Sequence, residues 1–167
     1  MAKKKNKNSS LGKILSFVAV ILGVVAVAMI FVASVKTPDV EVFGKVVEGD
    51  AKTGLQVVFG YSENDVACLS FSVLALLPFV LALAGTVLTA LNTFGKKGSK
   101  LFDFVSIGAF VVAGVLFFLM PSFMVFAETL AGIVLEAFEW ELAIGSIVAG
   151  ACSVLAGAAV LVKGLKK

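Results

Sequence analysis

Four long stretches of this chain, residues 14–35, 66–91, 104–120 and 142–162, contain no Asp, Glu or Lys. Each comes close to or exceeds the ~20 apolar residues that cross the ~30 Å hydrocarbon core of a bilayer. Water is absent there, so only helices and closed barrels satisfy the backbone. Continuous rather than alternating apolarity selects helices. Charged residues make up 15% of the chain, against about 25% in soluble domains, and the mean hydropathy is +1.08. The expected fold class is an all-α membrane protein, a four-transmembrane-helix bundle.

The charges sort by segment. Lys3, Lys4, Lys5, Lys7 and Lys13 precede the first span, Lys96, Lys97 and Lys100 lie between the second and third, and Lys163, Lys166 and Lys167 close the chain. Lys36, Lys45 and Lys52 share the other two connections with every acid except Asp103. Basic segments stay on the cytoplasmic side. The expected layout is therefore a multi-pass plasma-membrane protein with a cytoplasmic tail at 1–13, a cytoplasmic loop at 92–103 and a cytoplasmic tail at 163–167. The loops at 36–65 and 121–141 are expected outside. The first apolar run exceeds the 7–15 residues of a signal-peptide core and no A-x-A site follows it, so it reads as an uncleaved anchor. An all-lysine basic repertoire also fits an A-rich bacterial genome.

Small residues recur along the spans. Gly12, Ser16, Ala19, Gly23, Ala26 and Ala33 form a stripe on the first, and Ser146, Gly150, Ser153 and Gly157 form one on the fourth. Ser72, Ala75, Ala82 and Thr86 make a looser row on the second, and Ser106, Ala109 and Ala113 one on the third. Such stripes let helix backbones approach closely in lipid. They predict an internal bundle, with homo-oligomerisation or a partner membrane protein as the other use of the stripes on spans one and four. Pro78 is expected to kink the second span and Pro121 to end the third.

The loops carry the remaining signals. Residues 40–47 and 55–61 read as two strands of a hairpin, joined by the turn-forming "EGDAKTG". Leu55, Val57, Phe59 and Tyr61 alternate onto one face, and Gly44 and Gly60 mark close packing or bulges. In 121–141, Leu130, Ile133, Val134 and Ala137 share one helical face and Glu128, Glu136 and Glu139 another. This predicts a short amphipathic helix in the outer interface, with Phe138 and Trp140 at headgroup level.

Chemistry is sparse. The sequence has no His and no Arg, which removes imidazole ligands, histidine bases and arginine fingers. No P-loop, GxSxG, HExxH or CxxC motif occurs. Glu136 and Glu139 read as a solvated helix face, and Glu48–Asp50 as a turn. Cys68 and Cys152 sit at depths differing by roughly 10 Å at 1.5 Å per residue, beyond disulfide reach. No catalytic, cofactor-binding or metal-ligating residue is assigned, no cofactor is implied, and no nucleic acid is expected as a partner. Charge-free spans also lack the buried ionisable groups of pumps and proton-coupled transporters.

Four spans with a hairpin after the first resemble the claudin-type tetraspan layout. The resemblance is architectural: the first-loop tryptophan motif and cysteine pair of that family are absent, Trp140 being the only tryptophan. The functional expectation is a non-enzymatic interaction or accessory protein with an outer recognition surface. The alternative is an oligomeric pore-former, holin-like or channel-like.

Overall fold

The computed structural model describes residues 2–42, 45–95 and 99–165. Four long helices dominate: α1 (Ala2–Ala28), α3 (Val73–Phe94), α4 (Lys100–Phe118) and α6 (Ile144–Leu165). Each contains a stretch long and apolar enough to cross a membrane. The two shorter helices are α2 (Gly54–Phe59) and α5 (Leu130–Glu136). Among the described residues, α1 packs on α3 and α6, and α4 packs on α3 and α6. The four long helices thus stand at the corners of a square, with α1 diagonal to α4.

The interior of the square holds the small residues. Ser16, Ala19, Gly23 and Ala26 of α1 and Ser146, Gly150, Ser153 and Gly157 of α6 are all buried. Both stripes are covered by helices of the same chain. A methyl group built on Gly114 of α4 would lie 2.6 Å from the Val154 side chain and 3.3 Å from the Gly150 carbonyl oxygen. Only glycine permits that approach of α4 to α6. Midway along the bundle, Phe110 of α4 is fully buried. Methyl groups on Gly23, Gly85 and Gly157, one glycine from each of the other three helices, would meet Phe110 atoms at 3.1, 3.2 and 3.3 Å. One aromatic ring fills the centre because three glycines make room for it. The outward faces are the reverse: Ile21, Val24, Leu83, Leu91, Val115 and Leu155 are exposed.

One end of the square bears a cap of strands and short helices. The three-stranded sheet runs β4 (Ala51–Thr53), β1 (Ala33–Lys36), β7 (Glu141–Leu142), all antiparallel. Val35 faces Lys52 on one side and Leu142 on the other. β2 (Val40–Val42) pairs with β3 (Lys45–Val47), and β5 (Tyr61–Glu63) with β6 (Val66–Leu69). Cap and bundle share a core of Val35, Val57, Val58, Leu69, Phe79, Phe117 and Met120. Within it the Phe79 and Phe117 rings meet edge to face at 4.9 Å.

The expected hairpin between 40–47 and 55–61 is corrected. Both halves of one hairpin lie inside 40–47, while 54–59 is helical. The cause is a capping box: Gln56 N–H donates to Thr53 Oγ1 at 3.3 Å and Thr53 N–H donates to Gln56 Oε1 at 2.9 Å. "TGLQ" is the sequence form of that motif. Gly54, Val57 and Val58 are the buried positions, an i, i+3, i+4 face rather than an alternation. The second hairpin turns at Asn64 and Asp65, both at positive φ (49° and 64°), the conformation these short polar residues tolerate best. Gly60 has φ 90°, and a methyl group there would lie 2.7 Å from the Leu69 carbonyl oxygen, so its expected close packing holds. Gly44 lies outside the described residues.

Helix bounds also shift. The span expected at 14–35 ends as helix at Ala28, passes a 3₁₀ turn at Met29–Phe31 and enters β1. The span expected at 66–91 begins with β6 and becomes helical only at Val73, where the Ser72 side chain accepts from Ala75 N–H and donates to the Phe123 carbonyl. Buried strand and buried helix look alike in a continuous apolar run. The span expected at 104–120 starts at Lys100 and gives way to a 3₁₀ turn at Met120–Phe123. The expected interfacial helix in 121–141 is confined to Leu130–Glu136, capped by the Thr129 hydroxyl. The fourth helix starts after β7 and continues through Lys163, which is no tail residue.

Candidate functional site

The two ends of the bundle present different chemistry. At the end opposite the cap, three polar side chains from three helices converge. Lys163 Nζ of α6 lies 2.7 Å from Asp103 Oδ1 of α4. Asn92 Nδ2 of α3 donates to the same oxygen at 2.5 Å and to the Ser99 carbonyl at 3.0 Å. The Asn92 side-chain oxygen in turn accepts from Ser99 N–H at 2.6 Å. All three side chains are buried. Gly12 of α1 completes the group: a methyl group there would touch the Lys163 stem at 3.9 Å. The expectation of charge-free spans is thereby corrected, since a buried ion pair sits inside two of the candidate spans. The pair is also hydrogen-bonded through Asn92, the condition under which buried charges are tolerated. Its geometry ties α3, α4 and α6 together at one level as a clasp.

At the cap end, Lys52 of β4 is 5% exposed. Its ammonium contacts Asp50 at 2.8 Å and lies 4.1 Å from the centre of the Tyr61 ring. Half-buried Tyr61 is pushed above the ordinary phenol pKa, chiefly by loss of water, with Lys52 pulling it down and Glu63 and Asp50 adding to the rise. The "EGD" segment, expected as a turn, is an irregular link between β3 and β4. Asp50 N–H donates to Thr37 Oγ1 and Gly49 N–H to Asp39 Oδ1, both at 2.8 Å.

That link borders an open cleft of about 340 Å³. Thr37, Pro38, Glu48, Gly49 and Asp50 line one side, and Ala137, Phe138 and Glu139 the other. The sequence pairs Glu139 with Glu136, but the structure sets Glu139 across from Glu48 and Asp50 and leaves Glu136 on α5. Phe138 is exposed at the rim. Trp140 is not: it packs on Phe126 and its indole N–H donates to the Leu135 carbonyl at 2.9 Å. Leu130, Ile133 and Val134 of α5 point outward and are exposed.

No protein-family model matches the chain, and neither does any curated protein or solved structure. The functional reading therefore rests on these two ends. Both cysteines are free, Cys68 buried in β6 and Cys152 half-buried on α6. Among the described residues no group of three or more carboxylates and thiols is placed to hold a metal ion.

The cleft brings together residues that the sequence leaves far apart, and only long-range pairing does so. β1 pairs antiparallel with both β4 and β7, so the 48–50 link and the 137–139 segment enter the sheet at the same end, beside Lys36. The clasp did leave a sequence signal. Asp103 is the one carboxylate among the residues of the lysine-rich segments, and a lone acid beside helix ends is a candidate counter-ion.

Proposed function

We propose that the chain crosses the plasma membrane four times, with both termini and the α3–α4 turn in the cytoplasm and the cap outside. We further propose that it acts as a non-enzymatic interaction or accessory protein whose recognition surface is the cap. The apolar outward faces of the long helices support insertion, and α3 is about 33 Å long at 1.5 Å per residue, a match to the bilayer. The lysine distribution supports the orientation.

The observation that carries the recognition reading is the cap cleft. Three carboxylates, Glu48, Asp50 and Glu139, border it beside the exposed Phe138 ring. Such a surface suits a basic segment with an apolar tip on a partner protein, since aromatic anchors carry binding and charge complementarity selects the partner. A photo-crosslinking amino acid at position 138, followed by purification in mild detergent, tests this. The expected result is one discrete adduct that weakens when Glu48 and Glu139 are replaced by lysine. A strict monomer with no adduct contradicts it.

The oligomeric pore reading draws less support. Phe110 fills the centre of the single chain, and the stripes that would draw chains together are covered within it. Ion flux from liposomes at high protein-to-lipid ratio would revive that reading.

A further inference from the structure

A second cleft lies at the opposite end of the bundle, between α1 and α3. It has a volume of about 450 Å³ and is lined by Lys13, Ile14 and Phe17 of α1 and Thr93 and Phe94 of α3. Among the described residues, Lys13 is the one charged residue in that lining and no carboxylate borders it. Ile14, Phe17 and Phe94 are 56%, 55% and 71% exposed, so the walls are apolar and uncovered. The Thr93 hydroxyl donates to the Thr89 carbonyl at 2.7 Å, which leaves its oxygen able to accept a hydrogen bond.

The depth of the cleft fixes what meets it. Lys13 lies about 28 Å along the axis from Phe31, at 1.5 Å per residue of α1 and about 2 Å per residue of the 3₁₀ turn at Met29–Phe31. That span nearly equals the ~30 Å hydrocarbon core. With the opposite end of the helix at one headgroup plane, Lys13 reaches the other. Phe17 is one turn deeper, at acyl-chain level. An apolar trough with a lysine at its outer edge is complementary to one class of molecule, a phospholipid with a net negative headgroup.

We infer that the α1–α3 cleft is a binding site for an anionic phospholipid of the leaflet that faces the lysine-rich end, its phosphate on Lys13 and an acyl chain along Ile14 and Phe17. The site rests on the membrane-spanning reading. It differs from the diffuse attraction of a basic tail because it has walls, and a walled site selects individual lipids rather than raising their average concentration. The clasp helps to define it: Asn92 holds the α3 end next to Thr93 through its bonds to Ser99 and Asp103.

Brominated-lipid quenching of tryptophan fluorescence tests the inference on the full chain. Trp140→Phe removes the native fluorophore, and Phe94→Trp then places a reporter in the cleft. Phe104→Trp gives a control on α4, at the same end and 77% exposed. Each variant is reconstituted in phosphatidylcholine with increasing brominated phosphatidylglycerol or, separately, brominated phosphatidylcholine. At position 94 the expected preference for phosphatidylglycerol is about fivefold, the equivalent of the ~1 kcal/mol an interfacial lysine contributes. Lys13→Gln is expected to lower it to the value found at position 104. Equal quenching by the two lipids at position 94, or a preference untouched by Lys13→Gln, overturns the site. Absence of quenching by brominated phosphatidylcholine at both positions would instead overturn membrane insertion, so the two failures are distinguishable.

Discussion

The two ends of the bundle are fastened by different means. The lysine-rich end is closed by side chains: Lys163, Asp103 and Asn92 meet within hydrogen-bond distance and bind three helices through one carboxylate. The cap end is closed by backbone: β1 runs on from α1, β7 runs into α6, and their pairing joins the two helices through a sheet. A side-chain clasp depends on one or two atoms. A sheet distributes its hold over many amides, each worth about 1 kcal/mol net. The first should fail abruptly on a point substitution and the second gradually.

The largest expected effect falls on the clasp. Asp103→Asn deprives Lys163 of its counter-charge in a buried setting and should cost about 3–5 kcal/mol, read as a lowered unfolding midpoint in mixed micelles. The double change Asp103→Leu with Lys163→Met should recover most of that loss, because an apolar pair of similar volume needs no ionic partner. If the single and double variants lose equal stability, the ion pair is not what closes this end. A comparable loss, about 3–5 kcal/mol, is expected for Phe110→Ala at the centre of the bundle, where a cavity would open among three glycines that cannot fill it.

The cap should respond less. Thr53→Ala removes the capping box of α2 and should cost about 1 kcal/mol, with faster amide exchange confined to 54–59. Exchange that accelerates throughout the bundle would mean that the cap, and not the clasp, sets global stability. Substitutions on the cleft rim test recognition apart from folding. Glu139→Lys is exposed and should change stability by no more than about 0.5 kcal/mol, while sharply reducing any adduct at position 138.

The smallest effect concerns Tyr61. Its pKa in the folded protein is raised above 10.0, so the neutral phenol is favoured in the fold. The associated stability is fully present below pH ~10 and is lost as pH rises through the folded pKa. Tyr61→Phe should therefore flatten the alkaline part of the stability curve relative to the parent chain and leave neutral pH unchanged in slope. An alkaline limb identical in both would remove Tyr61 as its source.

The comparison of the two ends also explains what could be read from the sequence. The four long helices were legible, because apolar runs of this length have few other solutions. The stripes on spans one and four pointed to close packing, and Ser16, Gly23, Gly150 and Gly157 are indeed inside. The clasp is not legible in the apolar runs, because Asp103 and Lys163 lie just beyond their ends. Lys163 reads as a tail residue in the sequence, yet paired with Asp103 it stays inside the helix. In the cap, the alternation at 55–61 points to a strand, whereas Thr53 and Gln56 close a capping box that starts a helix. The approach of Glu139 to the 48–50 link across one cleft depends on β1 pairing on both sides. No local pattern encodes that register.

In the proposed topology a membrane separates the two ends, with the cap outside. Cysteine labelling in intact cells tests it most directly, in a chain with Cys68 and Cys152 replaced by alanine. Glu139→Cys on the cap should react with a membrane-impermeant maleimide before the cells are opened, and Ser10→Cys on α1 only afterwards. Labelling of Ser10→Cys in intact cells, with Glu139→Cys protected until lysis, would contradict the orientation; labelling of both positions to the same extent before and after lysis would contradict the separation itself.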